Sequence, residues 1–305
     1  MAEIIQKDGT WTFDGETLRL TPGRDKNVGL LRRTLGELPV PLRAVAGVSL
    51  EQGRKAGRLR LRLRDGADPL LQVTGGRLSE PHDPYQLVVE PGRYGVAEYF
   101  AEEVRTALLL DQVPADPVDA YLLPGPSLPL SVSAGDGTVS FDGERVRLEW
   151  NWKTEDAKAA AGARTLALGD ISAVEWLPAA GLENGHLRFL VHHSPTKAPA
   201  KYDPHAVELW GFKKDPLMAL VAAAVQARLP HPAARADGGG TDRREVPAPA
   251  GPATAAAALP APAAPAEDDH DALLRRLREL GDLHRSGVLT EEEFTLAKQA
   301  ILKRM

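Results

Sequence analysis

One segment of this chain occurs twice, and it constrains the fold more than any other feature. Asp8-Gly9-Thr10-Trp11-Thr12-Phe13-Asp14-Gly15-Glu16-Thr17-Leu18-Arg19-Leu20 is matched by Asp136-Gly137-Thr138-Val139-Ser140-Phe141-Asp142-Gly143-Glu144-Arg145-Val146-Arg147-Leu148. Most positions are identical, and the rest are conservative except Thr17 against Arg145. A duplication of this length implies a duplicated structural unit. In each copy an Asp-Gly pair separates two stretches of alternating apolar and polar residues, the pattern of half-buried antiparallel strands joined by a tight turn. A two-residue type I′ turn needs positive φ at both central residues, which Asp-Gly tolerates. Each copy is predicted to open with a β-hairpin.

Further matches keep the same order along both copies. Leu42, Val45 and Val48 correspond to Leu168, Ile171 and Val174; Gly57, Leu59 and Leu61 to Gly185, Leu187 and Phe189; Asp83-Pro84 to Asp203-Pro204. Each copy then ends in residues at helical spacing: Val96, Phe100, Val104, Ala107 and Leu108 in the first, Leu217, Leu220, Val221, Ala224 and Val225 in the second. Asp215-Pro216 reads as the N-cap and first position of the second helix. The expected organisation is a strand-rich repeat over 1–112, a proline-rich extended connector over 113–135 and a second repeat over 136–229.

After residue 229 the composition changes. Residues 230–266 are rich in Pro, Ala and Gly with almost nothing large and apolar to bury, which predicts a disordered tether with an r.m.s. span of about 35 Å. Residues 267–305 form a different pattern. Leu273, Leu277 and Leu280 share a helix face, Ser286-Gly287 breaks it, and Thr290 with Glu293 makes a capping box ahead of Phe294, Ala297 and Ile301. A helical hairpin this small does not bury enough surface to fold alone, so its stripe of Leu273, Leu277, Leu280, Phe294 and Ile301 is expected to seek a partner.

These motifs carry two resemblances. The segment from Leu273 to Met305, with Gly287-Val288-Leu289-Thr290 and Glu291-Glu292-Glu293-Phe294, resembles the SHOCT (short C-terminal) domain. Residues 8–229, through Gly9-Thr10-x-x-Phe13-Asp14-Gly15 and its twin at Gly137, resemble an actinobacterial domain-of-unknown-function family with two PH-like copies. The resemblance implies a mainly β fold with α: two bent antiparallel barrels, each closed by a C-terminal helix. It implies no enzyme, and for the hairpin it implies oligomerisation or docking.

The residues themselves exclude several activities. With no cysteine, disulfide scaffolds, thiol nucleophiles and Cys-ligated metals are ruled out. A net charge of −5 lacks the broad positive field of a nucleic-acid binder. The N-terminus MAEIIQKDGT has neither the basic nor the apolar region of a secretory signal, which points to a cytoplasmic protein. There is no G-x-S-x-G elbow, Walker loop, H-E-x-x-H or dinucleotide glycine motif, so no cofactor is expected. His186, His192, His193 and His205 read as surface histidines without a fixed acidic ligand beside them. Asp282 to Glu293 matches an EF-hand loop at its ends and glycine, but His284 stands where calcium wants oxygen.

The run Arg58-Leu59-Arg60-Leu61-Arg62-Leu63-Arg64, preceded by Arg54-Lys55, alternates strictly. Its leucines face the core and its arginines form a basic ribbon. The expected function is a non-catalytic scaffold that binds a protein or peptide through the repeats and oligomerises or docks through the hairpin. One alternative is a peripheral binder of anionic lipids at the inner face of the membrane, through Arg54, Lys55, Arg58, Arg60, Arg62 and Arg64. Another is an enzyme or nucleotide binder with an unrecognised site.

Overall fold

The computed structural model describes residues 1–192 and 198–233. The first repeat begins with β1 (Ala2–Ile5), β2 (Gly9–Phe13), β3 (Thr17–Pro22), the short helix α1 (Leu30–Leu35) and β4 (Leu38–Pro41). These strands form an antiparallel sheet in chain order. Then come β5 (Val45–Glu51), β6 (Gly57–Leu63), α2 (Pro69–Thr74) and β7 (Gln86–Val89), with the three strands in a second antiparallel sheet, and the long helix α3 (Tyr94–Leu110).

The second repeat retraces this path with β8 (Leu130–Ala134), β9 (Gly137–Phe141), β10 (Arg145–Trp150), α4 (Asp156–Ala160) and β11 (Arg164–Ala167). A three-stranded sheet of β12 (Ile171–Leu177), β13 (Gly185–Val191) and β14 (Ala206–Leu209) follows, and then α5 (Met218–Gln226). Both repeats turn the same corner. A 3-10 turn at Leu42–Ala44, matched by Leu168–Asp170, carries the chain from the four-stranded to the three-stranded sheet.

The sheets are open rather than closed barrels, which corrects the expectation from the resemblance. The 3-10 corner ends the ladder between β4 and β5, and Pro39 and Pro41 deprive β4 of two donors. The two sheets of each repeat are joined instead by a carboxylate. The Val88 N–H donates to Asp8 Oδ2 at 3.0 Å, and the Glu208 N–H donates to Asp136 Oδ1 at 2.8 Å.

The hairpins form, but not through type I′ turns. Gly15 and Gly143 take positive φ of 107° and 114°, whereas among the described residues Gln112 alone of the non-glycines does so. Asp14 and Asp142 accept the N–H groups two and three residues on, making Asx turns. These donors hold both carboxyls below the usual aspartate range.

Trp11, Phe13, Leu18, Leu59, Leu87 and Phe100 centre the first core. On α3 the inner face is Ala97, Phe100, Ala101 and Val104, with Ala107 and Leu108 partly buried against the core, so the predicted stripe holds except at Val96, which is exposed and whose place Ala97 takes. The helix α5 differs: every residue from Met218 to Gln226 is buried. A helix apolar on all sides needs cover on all sides. The sheets of its own repeat supply one side, and α2 of the first repeat packs on another, so Leu31, Leu70 and Val73 join the second core.

The proline-rich connector covers α5 as well. The Leu122 and Leu123 N–H groups bond the Ala67 carbonyl, and Gln226 Nε2 donates to Tyr121 Oη at 2.7 Å. The end of the predicted connector is not irregular, since Leu130–Ala134 is the first strand of the second repeat. The predicted tether, apart from its first residues, and the helical hairpin lie outside the described residues.

Candidate functional site

Asp68 caps α2 by accepting the N–H groups of Leu70 and Leu71 at 3.0 Å, Pro69 occupies the first helical position, and Gly75 ends the helix in the left-handed region. A second left-handed glycine, Gly76, then leads the chain to Arg77 and Leu78. This short helix, docked on α5, opens cavities at the junction of the repeats. One of about 340 Å³ is lined by Leu78, Trp176, Leu209 and Pro216, with Arg77 and His82 from one repeat and Lys213 from the other. A second, of about 500 Å³, shares Arg77 and Trp176 with it and extends along β12 and β13. A third, of about 490 Å³, shares His82 and Lys213 and adds Lys26 and Arg33. Together they make one groove between the two copies.

Its first and third cavities are mainly cationic despite the acidic net charge of the chain, while the second sets Glu175 beside Arg77 and Arg188. Asp215 is the only acidic group lining the first cavity, and the third has none. Only one oxygen of Asp215 is engaged, while its buried Oδ1 has no hydrogen-bond partner among the described residues. Its Oδ2 accepts the N–H groups of Trp210, Gly211 and Phe212 at 2.8 to 3.0 Å, so it braces the preceding loop and does not cap a helix as predicted. Burial, and then the Arg32 charge, push His82 below the usual histidine range. The buried Trp176 Nε1 makes no hydrogen bond. The groove therefore offers an apolar floor and cationic walls, which suits an acidic ligand with apolar side chains.

The basic strand lies elsewhere, on the outer face of β6. Leu59, Leu61 and Leu63 are buried and the arginines point outward, as the alternation requires. Arg58 pairs with Glu80 at 2.7 Å and Arg60 with Glu51 at 3.9 Å. Arg64 bonds the carbonyls of Asp116 and Arg43, fastening the connector. Arg54 and Lys55 are exposed in the β5–β6 turn, and Arg62 has no acidic partner among the described residues. Arg58, Arg60 and Arg62 thus share the outer face of β6, two of them beside carboxylates.

His186 departs from the surface expectation. It sits on β13 with a side chain only 16% exposed, its Nε2 3.9 Å from Glu175 Oε2, and burial lowers its pKa. His193 falls outside the described residues, as do the EF-hand-like segment and Leu273, Leu277, Leu280, Phe294 and Ile301. No cluster of three metal-ligating side chains occurs among the described residues. Likewise, none of the described helices is long and apolar enough to cross a membrane.

The groove residues escaped the sequence reading because the groove is made by docking two copies. Its one local signal was the run Met218 to Val225, too apolar for a helix with a free face.

Two family models match the chain. The model for the domain of unknown function DUF4429 covers residues 11–105 and 139–226, and the short C-terminal domain SHOCT covers 275–302. No curated protein matches significantly.

Proposed function

The chain belongs to the DUF4429 family, with two copies of that domain ahead of a SHOCT domain, and we propose that it is a non-catalytic interaction protein whose inter-repeat groove binds an acidic segment of a protein partner. The four-plus-three strand plan closed by a helix supports a PH-like reading of each copy. One observation carries the proposal: Arg77, Lys213, Lys26 and Arg33 line the first and third cavities beside an apolar floor, where the one acidic side chain, Asp215, is buried and turned to the N–H groups of its own loop. In this reading the protein is cytoplasmic, and the C-terminal hairpin multimerises it or docks it to a second partner. Multimerisation would raise the avidity of a groove whose single-site affinity is modest.

The test is an array of peptides varied in acidic and apolar content, probed with the full-length protein at low and physiological salt. The proposal expects selection of acidic peptides carrying Leu or Phe, weakening with salt, and a loss of at least about tenfold in Arg77→Glu/Lys213→Glu. Both residues are exposed, so this variant keeps its fold. Selection that ignores acidic content, or survives the double reversal, would contradict the proposal.

A further inference from the structure

Three aromatic rings surround a single cation on the second repeat. Lys153 Nζ lies 5.4 Å from the ring centroid of Trp152, 5.2 Å from that of Trp210 and 5.3 Å from that of Phe212. The near-equal distances put the ammonium at the centre of a box rather than over one ring. Trp210 and Phe212 meet edge-on, 5.9 Å apart at 72°, and Trp210 Nε1 donates to Glu208 Oε2 at 3.2 Å, so a carboxylate stands behind the box. Trp152 is 88% and Phe212 56% exposed, a large apolar surface left in water by residues that usually find cover.

The box is held on two braced loops. The Lys153 N–H donates to Asn151 Oδ1, while Asn151 Nδ2 and Thr154 Oγ1 bond the carbonyls of Gly135 and Asp136. On the other side, the Asp215 carboxylate fixes Trp210, Gly211 and Phe212 through their N–H groups. The two loops that carry the rings are therefore braced before any ligand arrives.

Aromatic faces attract cations but cannot accept hydrogen bonds well. A lysine ammonium carries three N–H donors that water satisfies better than three rings do. An alkylated ammonium has fewer donors or none, so it loses less hydration on entering the box and presents more surface to the rings. Lys153 is thus a poor occupant held in place by its tether.

We propose that Trp152, Trp210 and Phe212 form a binding site for an alkylated ammonium group, with Lys153 as the built-in competitor that swings out when the ligand enters. The ligand chemistry is that of a choline-type headgroup or an N-methylated lysine side chain. Phe212 also borders the inter-repeat groove, so the box stands at one end of it. Trp152, which does not line the groove, separates the two sites in experiment.

The test uses full-length protein and tetramethylammonium chloride, with ammonium chloride at matched ionic strength as the control, read through the indole N–H resonances. The expected result is a saturable shift of the Trp152 and Trp210 signals by tetramethylammonium but not ammonium. It tightens at least about threefold in Lys153→Ala, where the tethered competitor is gone, and disappears in Trp152→Ala. Trp152 is solvent-exposed, so its removal leaves the fold intact, as the dispersion of the remaining signals would verify. Titrations with phosphatidylcholine vesicles and with a trimethyl-lysine peptide then identify the source, by which of them moves the same two signals. The absence of any saturable response in Lys153→Ala, or an equal response to ammonium, would overturn the assignment.

Discussion

Lys158 and Asp136 form an ion pair sealed from solvent, Nζ to Oδ2 at 2.6 Å, with side chains 0% and 2% exposed. The Trp150 ring lies 4.5 Å from the ammonium, which also donates to the Ala200 carbonyl. The other carboxylate oxygen takes the Glu208 N–H, so the pair ties both sheets of the second repeat to α4. The first repeat has the same device at the same place. Arg32 of α1 donates to both oxygens of Asp8 at 3.1 Å, and Asp8 takes the Val88 N–H.

Breaking one half of the buried pair should be costly, because it leaves a desolvated charge without its partner. Lys158→Met is expected to destabilise by about 3 to 5 kcal/mol, seen as a lower urea midpoint. Adding Asp136→Asn should restore part of the loss. A Lys158→Met variant as stable as the parent would contradict the assigned role.

His82 gives the groove a pH dependence. Burial and Arg32 depress its folded-state pKa below the unfolded value, so the neutral form is favoured in the fold. The resulting stability is present above the ordinary histidine pKa of about 6.5 and is lost as pH falls through the lower folded value. His82→Gln should therefore lose less stability than the parent when thermal melts are compared at pH 7 and pH 5. Equal losses would show that His82 does not contribute.

The arginine strand should tolerate charge reversal. Exposed ion pairs contribute about 1 kcal/mol or less, and Arg60 has only a long contact with Glu51. Arg60→Glu/Arg62→Glu is expected to melt within a few degrees of the parent and to leave its binding to anionic vesicles unchanged at low salt. A salt-sensitive vesicle binding that the double reversal abolishes would transfer the interaction from the groove to this strand.

For the C-terminal hairpin, the apolar stripe of Leu273, Leu277, Leu280, Phe294 and Ile301 motivates self-association. Light scattering on the full-length protein should find an oligomer at micromolar concentration, shifted to monomer by Leu277→Asp or Phe294→Asp. A monomer in the parent across that range would leave docking to a foreign partner as the hairpin's role.

How much of this the chain disclosed can be traced residue by residue. The matches of Leu42, Val45 and Val48 with Leu168, Ile171 and Val174 showed that the two copies share this stretch, but not that it is a corner, which the 3-10 turns at Leu42–Ala44 and Leu168–Asp170 make. The roles of Asp8 and Asp136 were hidden. Their cations sit more than twenty residues downstream in the crossover helices and differ in type, Arg32 against Lys158. The turn at Asp14 was read from backbone preference alone, whereas its side chain takes the N–H bonds that set the turn. Net charge was a poor guide to the groove, since a molecule-wide sum of −5 does not exclude a local cluster of Arg77, Lys213, Lys26 and Arg33.

The most direct measurement of the central claim is a hydrogen-exchange footprint of the full-length protein with the tightest acidic peptide from the array. The account predicts slowed exchange at residues 77–82 and 209–216, the two walls of the groove, and no such footprint in Arg77→Glu/Lys213→Glu. Protection confined to β6, or none on either wall while the peptide is bound, would contradict it.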